Sequence, residues 1–173
     1  MKLKLDLHTH PFEATGFRQI TPDIAERLVA RIRERGLDGI AVTEHADKTY
    51  GFKVKEIVEA RYPDIVIIPG QEANVWPVQV VELCLPGDVT FKFLAHPGYP
   101  GELTSADGLH GIEIDNPLHS WHINKEKVQA LAEKYNLMLL SNSDAHTVED
   151  IGARYNEVSI EELYDRARQQ GQQ

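Results

Sequence analysis

Two histidines stand two positions apart near the start of the chain, in the segment "LDLHTHP" at residues 5–11. They are His8 and His10, and the carboxylate of Asp6 lies two positions before the first. Alternate side chains of an extended segment point to the same face, so we expect these three to lie together. Two imidazoles on one face can bind a metal ion, with Asp6 supporting a ring nitrogen from behind.

Similar residues follow other apolar segments of the chain. They are Glu44 and His45, Glu72, His96, Asn116 and His119, and Asp144 and His146. With the opening pair, these positions hold six of the eight histidines. Neutral imidazole combined with carboxylate is the ligand set of zinc, manganese and iron. Because one tetrahedral ion cannot use so many ligands, the pattern predicts two or three divalent metal ions that share a bridging carboxylate.

Three further residues are less informative. His122 lies close to His119 and competes with it for the same role. His110, in the glycine-flanked segment "DGLHG", is predicted to be a surface residue. The single cysteine, Cys84, lies in the apolar run "VQVVELCLP" and is predicted to belong to the core, so a zinc site built from cysteines is excluded.

Short β-rich segments alternate with helical ones along the chain. The predicted strands span residues 2–7, 38–43, 64–70, 78–85, 90–95, 111–115, 137–141 and 157–160, and the predicted helices span about 21–36, 53–61, 122–135 and 160–170. The clearest helix has Thr21 as its N-cap, Pro22 at its first position and Gly36 at its end. This alternation is typical of parallel βα units.

Seven or eight strands in this order favour an α/β fold that closes into a TIM-like (β/α) barrel. The C-terminal ends of all strands in such a barrel lie on one face, where the histidines and carboxylates would meet. A full eightfold barrel typically needs about 250 residues, so a chain of 173 residues would form a compact version with short or missing helices. An open doubly wound sheet is the alternative, but no glycine-rich loop follows the first strand.

Size and charge limit the class of protein further. A length of 173 residues with 42% hydrophobic and 26% charged residues predicts one globular domain over residues 1–173. The net charge of −9 argues against nonspecific nucleic-acid binding, which needs a basic surface. No apolar run is near the roughly 18 residues of a membrane span, and no signal peptide is recognisable, so we expect a cytoplasmic protein.

Five short motifs, "DLHTH", "VTEH", "PGQEA", "AHPG" and "NSDAH" in this order, resemble the signature of the polymerase and histidinol phosphatase (PHP) superfamily. The likeness runs from residue 3 to about residue 160. It implies a distorted seven-stranded (β/α) barrel with two or three metal ions, zinc, manganese or iron, at the C-terminal ends of the strands. It also implies phosphoester hydrolysis by a hydroxide that bridges two metals.

The resemblance assigns ligands to the first two metals. The first would be held by His8, His10, Glu72 and Asp144. Glu72 would bridge to a second metal held by His96 and His119. The segment "EIDNPLHS" is similar to segments of small phosphatase members, which favours His119 over His122.

The third metal would use His45 and His146. Many relatives have a further histidine or aspartate after the first motif, where this chain reads "PFEATGF". Glu13 has the only metal-binding side chain in that stretch. Either Glu13 substitutes for the missing ligand or the third site is weak.

The expected reaction is hydrolysis of a small phosphate ester or nucleotide phosphate. The residues expected to take part in it are Asp144, His146, Arg18 and Arg154, with the arginines holding the phosphate and Lys48 a weaker candidate. Asp6 and Glu44 would orient the ligands. Tyr99 and Trp76 could stack on a ring of the substrate or simply pack in the fold.

Two other functions stay open. An amidohydrolase, which cuts C–N or C–O bonds, also begins with paired histidines, but it often bridges its metals with a modified lysine at a strand end, whereas Lys92 lies inside a predicted strand. The second alternative is a noncatalytic PHP module that binds metal as a sensor or scaffold.

Overall fold

The computed structural model describes residues 1–169. Its elements are β1 (Leu3–Asp6), α1 (Pro11–Ala14), α2 (Pro22–Glu34), β2 (Gly39–Val42), α3 (Thr49–Arg61), β3 (Val66–Val75), β4 (Val78–Leu85), β5 (Val89–Leu94), β6 (Gly111–Asp115), a 3-10 turn (Pro117–His119), α4 (Lys125–Tyr135), β7 (Met138–Ser141), β8 (Asn156–Val158) and α5 (Ile160–Gln169). All eight predicted strands are present, but β3 extends well beyond its predicted end at residue 70. Residue 170, the predicted end of the last helix, lies outside the described residues.

The eight strands form one sheet, in the order β7-β6-β5-β4-β3-β2-β1-β8, which curls into a nearly closed barrel. Strands β1, β2 and β3 pair in parallel, as do β5, β6 and β7. Between these blocks β4 pairs antiparallel with both β3 and β5. The predicted TIM-like α/β barrel is therefore confirmed in its distorted form, with β8 as a short antiparallel addition to β1.

The prediction of parallel βα units throughout is wrong for β3, β4 and β5. Residues 76–77 join β3 to β4, and residues 86–88 join β4 to β5. A parallel crossover needs about a dozen residues or more, so connections this short force antiparallel pairing. The chain reaches a barrel in 173 residues partly because these strands follow one another without helices.

A side chain, rather than a strand pair, connects the two ends of the sheet. No strand pairing joins β7 to β8 within residues 1–169. Asn156 of β8 spans the gap: its Oδ1 accepts a hydrogen bond from Ser141 N of β7 at 2.8 Å, and its Nδ2 donates to Ser141 O at 3.0 Å. Its Nδ2 also donates to Asn142 Oδ1 at 2.8 Å. We call these contacts the seam, because the Asn156 amide provides there the hydrogen bonds that a neighbouring strand provides elsewhere in the sheet.

Apolar side chains fill the barrel and cover its outer face. Seven of the strands and α5 contribute to one buried cluster, in which Phe91 and Phe93 are fully buried. A second cluster packs α2 and α3 against the sheet, and a third packs α4. Cys84 is only half-buried, so its predicted core position is not borne out.

Helix α2 has the predicted signals at both ends. Thr21 accepts a hydrogen bond from Ile24 N, and Pro22 is the first helical residue. The helix ends at Glu34, and Gly36 follows with a φ of +66°, which glycine adopts without strain. None of the helices within residues 1–169 has the length and apolar character needed to cross a bilayer.

Candidate metal centre

Two threonines tie the ends of β1 and β2 together and set the direction of the first histidines. Thr43 donates hydrogen bonds to Thr9 O from its backbone N at 2.9 Å and from its Oγ1 at 3.0 Å. The chain around Thr9 is therefore held extended, and His8 and His10 on either side of it point the same way. Their Nε2 atoms lie 3.2 Å apart, as the sequence predicts for a shared site.

Glu72 lies at the middle of the cluster and is 1% exposed. Its Oε1 lies 2.8 Å from His96 Nε2 and 3.6 Å from His8 Nε2. Its Oε2 lies 3.0 Å from His45 Nδ1 and 3.5 Å from His10 Nε2. One carboxylate therefore contacts four imidazoles. Glu72 is within β3 and not after it, because β3 continues past the sheet's parallel part into the pairing with β4.

Asp144 faces the same imidazoles from the loop after β7. Its Oδ1 lies 3.1 Å from His10 Nε2, 3.4 Å from His8 Nε2 and 3.7 Å from His146 Nδ1. Its Oδ2 lies 3.6 Å from His119 Nε2. Oδ1 is buried and has no hydrogen-bond partner within the described residues. A buried anionic oxygen without a partner is costly, and a bound cation would satisfy it.

A more exposed group of ligands adjoins this buried pair of carboxylates. Glu13 of α1 places Oε1 3.4 Å from His45 Nε2 and Oε2 3.8 Å from His146 Nε2. These three residues and His10 offer ligand atoms within 4.8 Å of one another. The structure thus brings Glu13 to the position that the resemblance predicts for a substitute ligand.

Two further sets satisfy the same 4.8 Å criterion. They are His8, His96 and Asp144, and His8, His10 and Glu72. All nine predicted ligands therefore lie in one connected cluster, although His119 belongs to none of the three sets and joins them through Asp144 and His96. Which of them bind which ion stays a prediction.

His119 rather than His122 is directed at the cluster. His119 Nε2 contacts Asp144, and its ring packs against that of His96 with centroids 4.3 Å apart. The ring of Tyr99 stacks on His119 at 4.5 Å, and His122 lies behind Tyr99 at 5.1 Å. Trp76 is 87% exposed at the turn between β3 and β4.

Burial and charge divide the imidazoles into two kinds. Burial lowers the pKa of His10 to about 4, and burial with the neighbouring charge of His96 lowers the pKa of His119 to about 4. Both are neutral near pH 7 and have a lone pair free for a metal. Burial opposes protonation of His8 as well, but the charges of Asp144 and nearby glutamates raise its pKa well above the usual value. A metal that binds His8 would therefore displace a proton.

Both central carboxylates are held ionised. Burial alone would raise the pKa of Glu72 and of Asp144. The charge of His8 and the other imidazoles close by outweigh burial and hold both pKa values well below the usual range. The cluster therefore presents two carboxylates as anions across the physiological pH range.

The support predicted for the His8 ring comes from a different residue. Asp6 accepts hydrogen bonds from Ser143 N at 3.1 Å and Gly152 N at 2.9 Å, so it fastens the loops after β7 and not the ring. Glu113 of β6 accepts the hydrogen bond of His8 Nδ1 at 2.9 Å. The prediction for Asp6 is therefore wrong. The alternation of "GIEID" could have placed Glu113 on an inner face, but its partner is 105 positions away in the sequence.

Several other predicted residues are not part of the three ligand sets. The Arg154 guanidinium donates from Nε to Asp115 Oδ2 at 2.6 Å, and the Arg18 side chain is exposed. Glu44 is predicted to orient a ligand, and its Oε2 lies 3.9 Å from His10 Nδ1. Its Oε1 accepts a hydrogen bond from Phe12 N at 2.8 Å, and burial raises the pKa of Glu44 to about 7. His110 is 6% exposed and accepts a hydrogen bond from a backbone amide of β5, so its predicted surface position is wrong.

The backbone is strained at two of the predicted ligands. His96 has a φ of +25° and Asp144 a φ of +54°, in a region that side chains other than glycine rarely adopt. Such conformations cost about 1–3 kcal/mol each and tend to occur at functional sites. Here the strain accompanies the two side chains that meet across the cluster from β5 and β7.

Comparisons with known proteins find relatives of this fold. A family model described as PHP-associated matches residues 122–169. Three similar solved structures each align with 94% of this chain, and one of them is PsfC from Pseudomonas syringae, with a TM-score of 0.68, 20% identity and 88% of its own chain covered. A candidate metal-dependent phosphoesterase from Bifidobacterium adolescentis has a TM-score of 0.71 and 14% identity, with 96% of its chain covered. An amidohydrolase from Chromobacterium violaceum, with bound sulfate and no metal, has a TM-score of 0.64 and 18% identity, with 96% of its chain covered. No curated protein sequence matches the chain. At these identities the structures establish a shared fold.

Proposed function

We propose that the chain is a member of the PHP superfamily and a metal-dependent hydrolase of a small phosphate ester or nucleotide phosphate. The observation that carries the proposal is the unpartnered Asp144 Oδ1, buried among the nitrogens of His8, His10 and His146. Three imidazole nitrogens within 3.7 Å of this oxygen suit a cation held between them. Two or three ions of zinc, manganese or iron fit the donor set.

The residues that would hold these ions are those of the connected cluster. Glu72 lies between the other ligands and is the candidate to bridge two ions. When bound, the cations would make a water more acidic and neutralise charge that builds on phosphoryl oxygens. The protein's own contribution is to fix the ligands beforehand, as the hydrogen bond from His8 Nδ1 to Glu113 shows.

The open side of the cluster indicates where a substrate would arrive. The side chains of His45 and His146 are 41% and 31% exposed, whereas those of His8 and Glu72 are buried. His146 Nδ1 donates to Asp144 O at 2.8 Å, which leaves its Nε2 lone pair facing the more exposed group. We place the phosphate of the substrate on this side, with Asp144 and His146 beside the reacting group.

Charge and ligand type favour a phosphoester over an amide. A centre that gathers several divalent cations attracts a phosphate dianion more strongly than a neutral amide. Glu72 lies at the centre of the cluster, where a bridging ligand would be needed, and Lys92 pairs elsewhere, with its Nζ 2.9 Å from Glu82 Oε1. Lys92 is therefore not placed like the modified lysine of many amidohydrolases.

The test is elemental analysis of the purified protein followed by a screen of phosphorylated metabolites with added Mn²⁺, Zn²⁺ or Fe²⁺. We expect two or three metal ions per chain and turnover of at least one phosphomonoester. The double variant His8→Ala/His10→Ala should lose both metal and turnover. His110→Ala removes another buried histidine, one that lies outside the cluster, and should keep both.

The same samples distinguish the alternatives. Turnover of dihydroorotate or simple amides without phosphatase activity would replace this proposal with an amidohydrolase function. Bound metal without turnover of any substrate would favour a noncatalytic module. A folded protein that holds no transition metal and takes none up would contradict the metal centre itself.

A further inference from the structure

We infer that Glu113 and Asn116, which are not themselves among the predicted ligands, position four of the ligands from behind. The four are His8, His96, His119 and Asp144. This inference rests on the metal centre of the proposed function. It concerns the geometry of the ligands and not the identity of the substrate.

Glu113 is fully buried and its carboxylate accepts four hydrogen bonds. Oε1 accepts from His8 Nδ1 and from Asn142 Nδ2, both at 2.9 Å. Oε2 accepts from His96 N at 2.7 Å and from Asn116 Nδ2 at 3.0 Å. A carboxylate has about four acceptor sites, and all of them are used. Glu113 therefore joins residues from four different strand ends, including two predicted ligands.

The bond to His8 determines which ring nitrogen faces the cluster. Because a carboxylate only accepts, His8 Nδ1 carries the hydrogen of this bond. In neutral His8 the lone pair is then on Nε2, which lies 3.4 Å from Asp144 Oδ1 and 3.6 Å from Glu72 Oε1. A carboxylate behind a ligating imidazole fixes the orientation of the ring and makes it a stronger donor to metal.

Asn116 extends the same support to the other side of the cluster. Its Nδ2 donates to Asp144 Oδ2 at 3.2 Å as well as to Glu113. Its Oδ1 accepts from Leu118 N at 3.1 Å and from His119 N at 3.3 Å, which caps the 3-10 turn that carries His119. Both ends of one buried amide are thus used to place two ligands.

Asp144 shows why this support matters. Its backbone has a φ of +54°, and its Oδ1 has no hydrogen-bond partner. The bond from Asn116 Nδ2 to Oδ2 is therefore the side-chain hydrogen bond that keeps Oδ1 directed at the imidazoles. Without it the carboxylate could rotate away from His8 and His10.

The test is Co²⁺ binding, measured by calorimetry and by the visible absorption of the bound ion, in the variant Glu113→Gln. We expect Co²⁺ affinity to fall about 10–100-fold, as is usual when a carboxylate behind a ligating histidine is replaced, and the absorption spectrum to change. Asn116→Ala keeps the Glu113 carboxylate and serves if Glu113→Gln does not fold. It should also weaken Co²⁺ binding and alter the spectrum.

Glu82→Gln is the matched control. Glu82 also accepts hydrogen bonds and ion pairs from three side chains, of Gln71, Lys48 and Lys92, but it touches no predicted ligand. It should lose stability without changing Co²⁺ affinity or the spectrum. Folded Glu113→Gln or Asn116→Ala protein with wild-type affinity and spectrum would overturn the inference, as would a wild type that binds no Co²⁺. Wild-type Co²⁺ binding without any phosphatase turnover would leave the inference supported and refute only the proposed reaction.

Discussion

The seam between β7 and β8 provides the sharpest test of how this barrel is held closed. Asn156→Ala would remove three hydrogen bonds across the seam, of 2.8, 3.0 and 2.8 Å, two to Ser141 and one to Asn142, and a weaker one of 3.4 Å to Leu5 O. Each such bond contributes about 1 kcal/mol net. Because Asn156 is partly exposed, water can replace some of them. We expect the free energy of unfolding to fall by about 2–3 kcal/mol.

The measurement is equilibrium unfolding in urea, performed on metal-free protein so that metal binding does not contribute. The matched control is Asn74→Ala, which removes a 3.1 Å hydrogen bond between Asn74 Oδ1 and Gln79 Nε2 on the exposed β3–β4 hairpin. Its cost should be below about 0.5 kcal/mol. Amide exchange at Ser141 N should accelerate in Asn156→Ala. Equal unfolding energies for the two variants, or unchanged exchange at Ser141, would show that the seam does not close the barrel.

Three other predictions concern metal, acid and packing. In denaturation experiments with and without Zn²⁺, the ion at 100 times its Kd should raise the free energy of unfolding by about 2.7 kcal/mol per independent site. The double variant His8→Ala/His10→Ala should show no such rise. Burial would raise the pKa of Glu82, but hydrogen bonds from neighbouring lysine and glutamine side chains lower it to about 2. The stabilisation that ionised Glu82 gives the folded protein is therefore complete above about pH 4.5 and is lost as the pH falls towards 2. The difference in the free energy of unfolding between wild type and Glu82→Gln should accordingly shrink by about 2 kcal/mol between these pH values. Gly39→Ala would place Cβ 2.0 Å from Val66 O in the adjoining strand, and a loss of about 3 kcal/mol or more is expected; a wild-type denaturation midpoint would contradict this.

Much of the fold is predictable because strand and helix signals are local. Thr21, Pro22 and Gly36 mark α2 correctly, and the apolar runs mark all eight strands. Whether neighbouring strands run parallel or antiparallel is harder to predict from the sequence, because it depends on the length of the connections between them. The two-residue link at Trp76 and Pro77 in fact excludes a parallel crossover, and that signal would have predicted the antiparallel β3–β4 pair.

The candidate site was predictable where its residues follow strand ends. His8, His10 and Asp144 could be named because each lies in a short motif at such a position. Glu113 and Asn116, which support these ligands, could not be identified, because their roles depend on partners far away in the sequence. Glu113 supports His8 across 105 positions, whereas nearby Asp6, the obvious local candidate, fastens a loop instead.

The left-handed backbone at His96 and Asp144 also bears on how this chain and its relatives change over time. Glycine adopts such angles at no steric cost, so selection for stability alone would favour glycine at both positions. A copy that no longer needs the cluster should drift towards glycine there before the rest of the barrel changes. Relatives that keep histidine and aspartate at these two positions would then be the ones that still depend on the cluster.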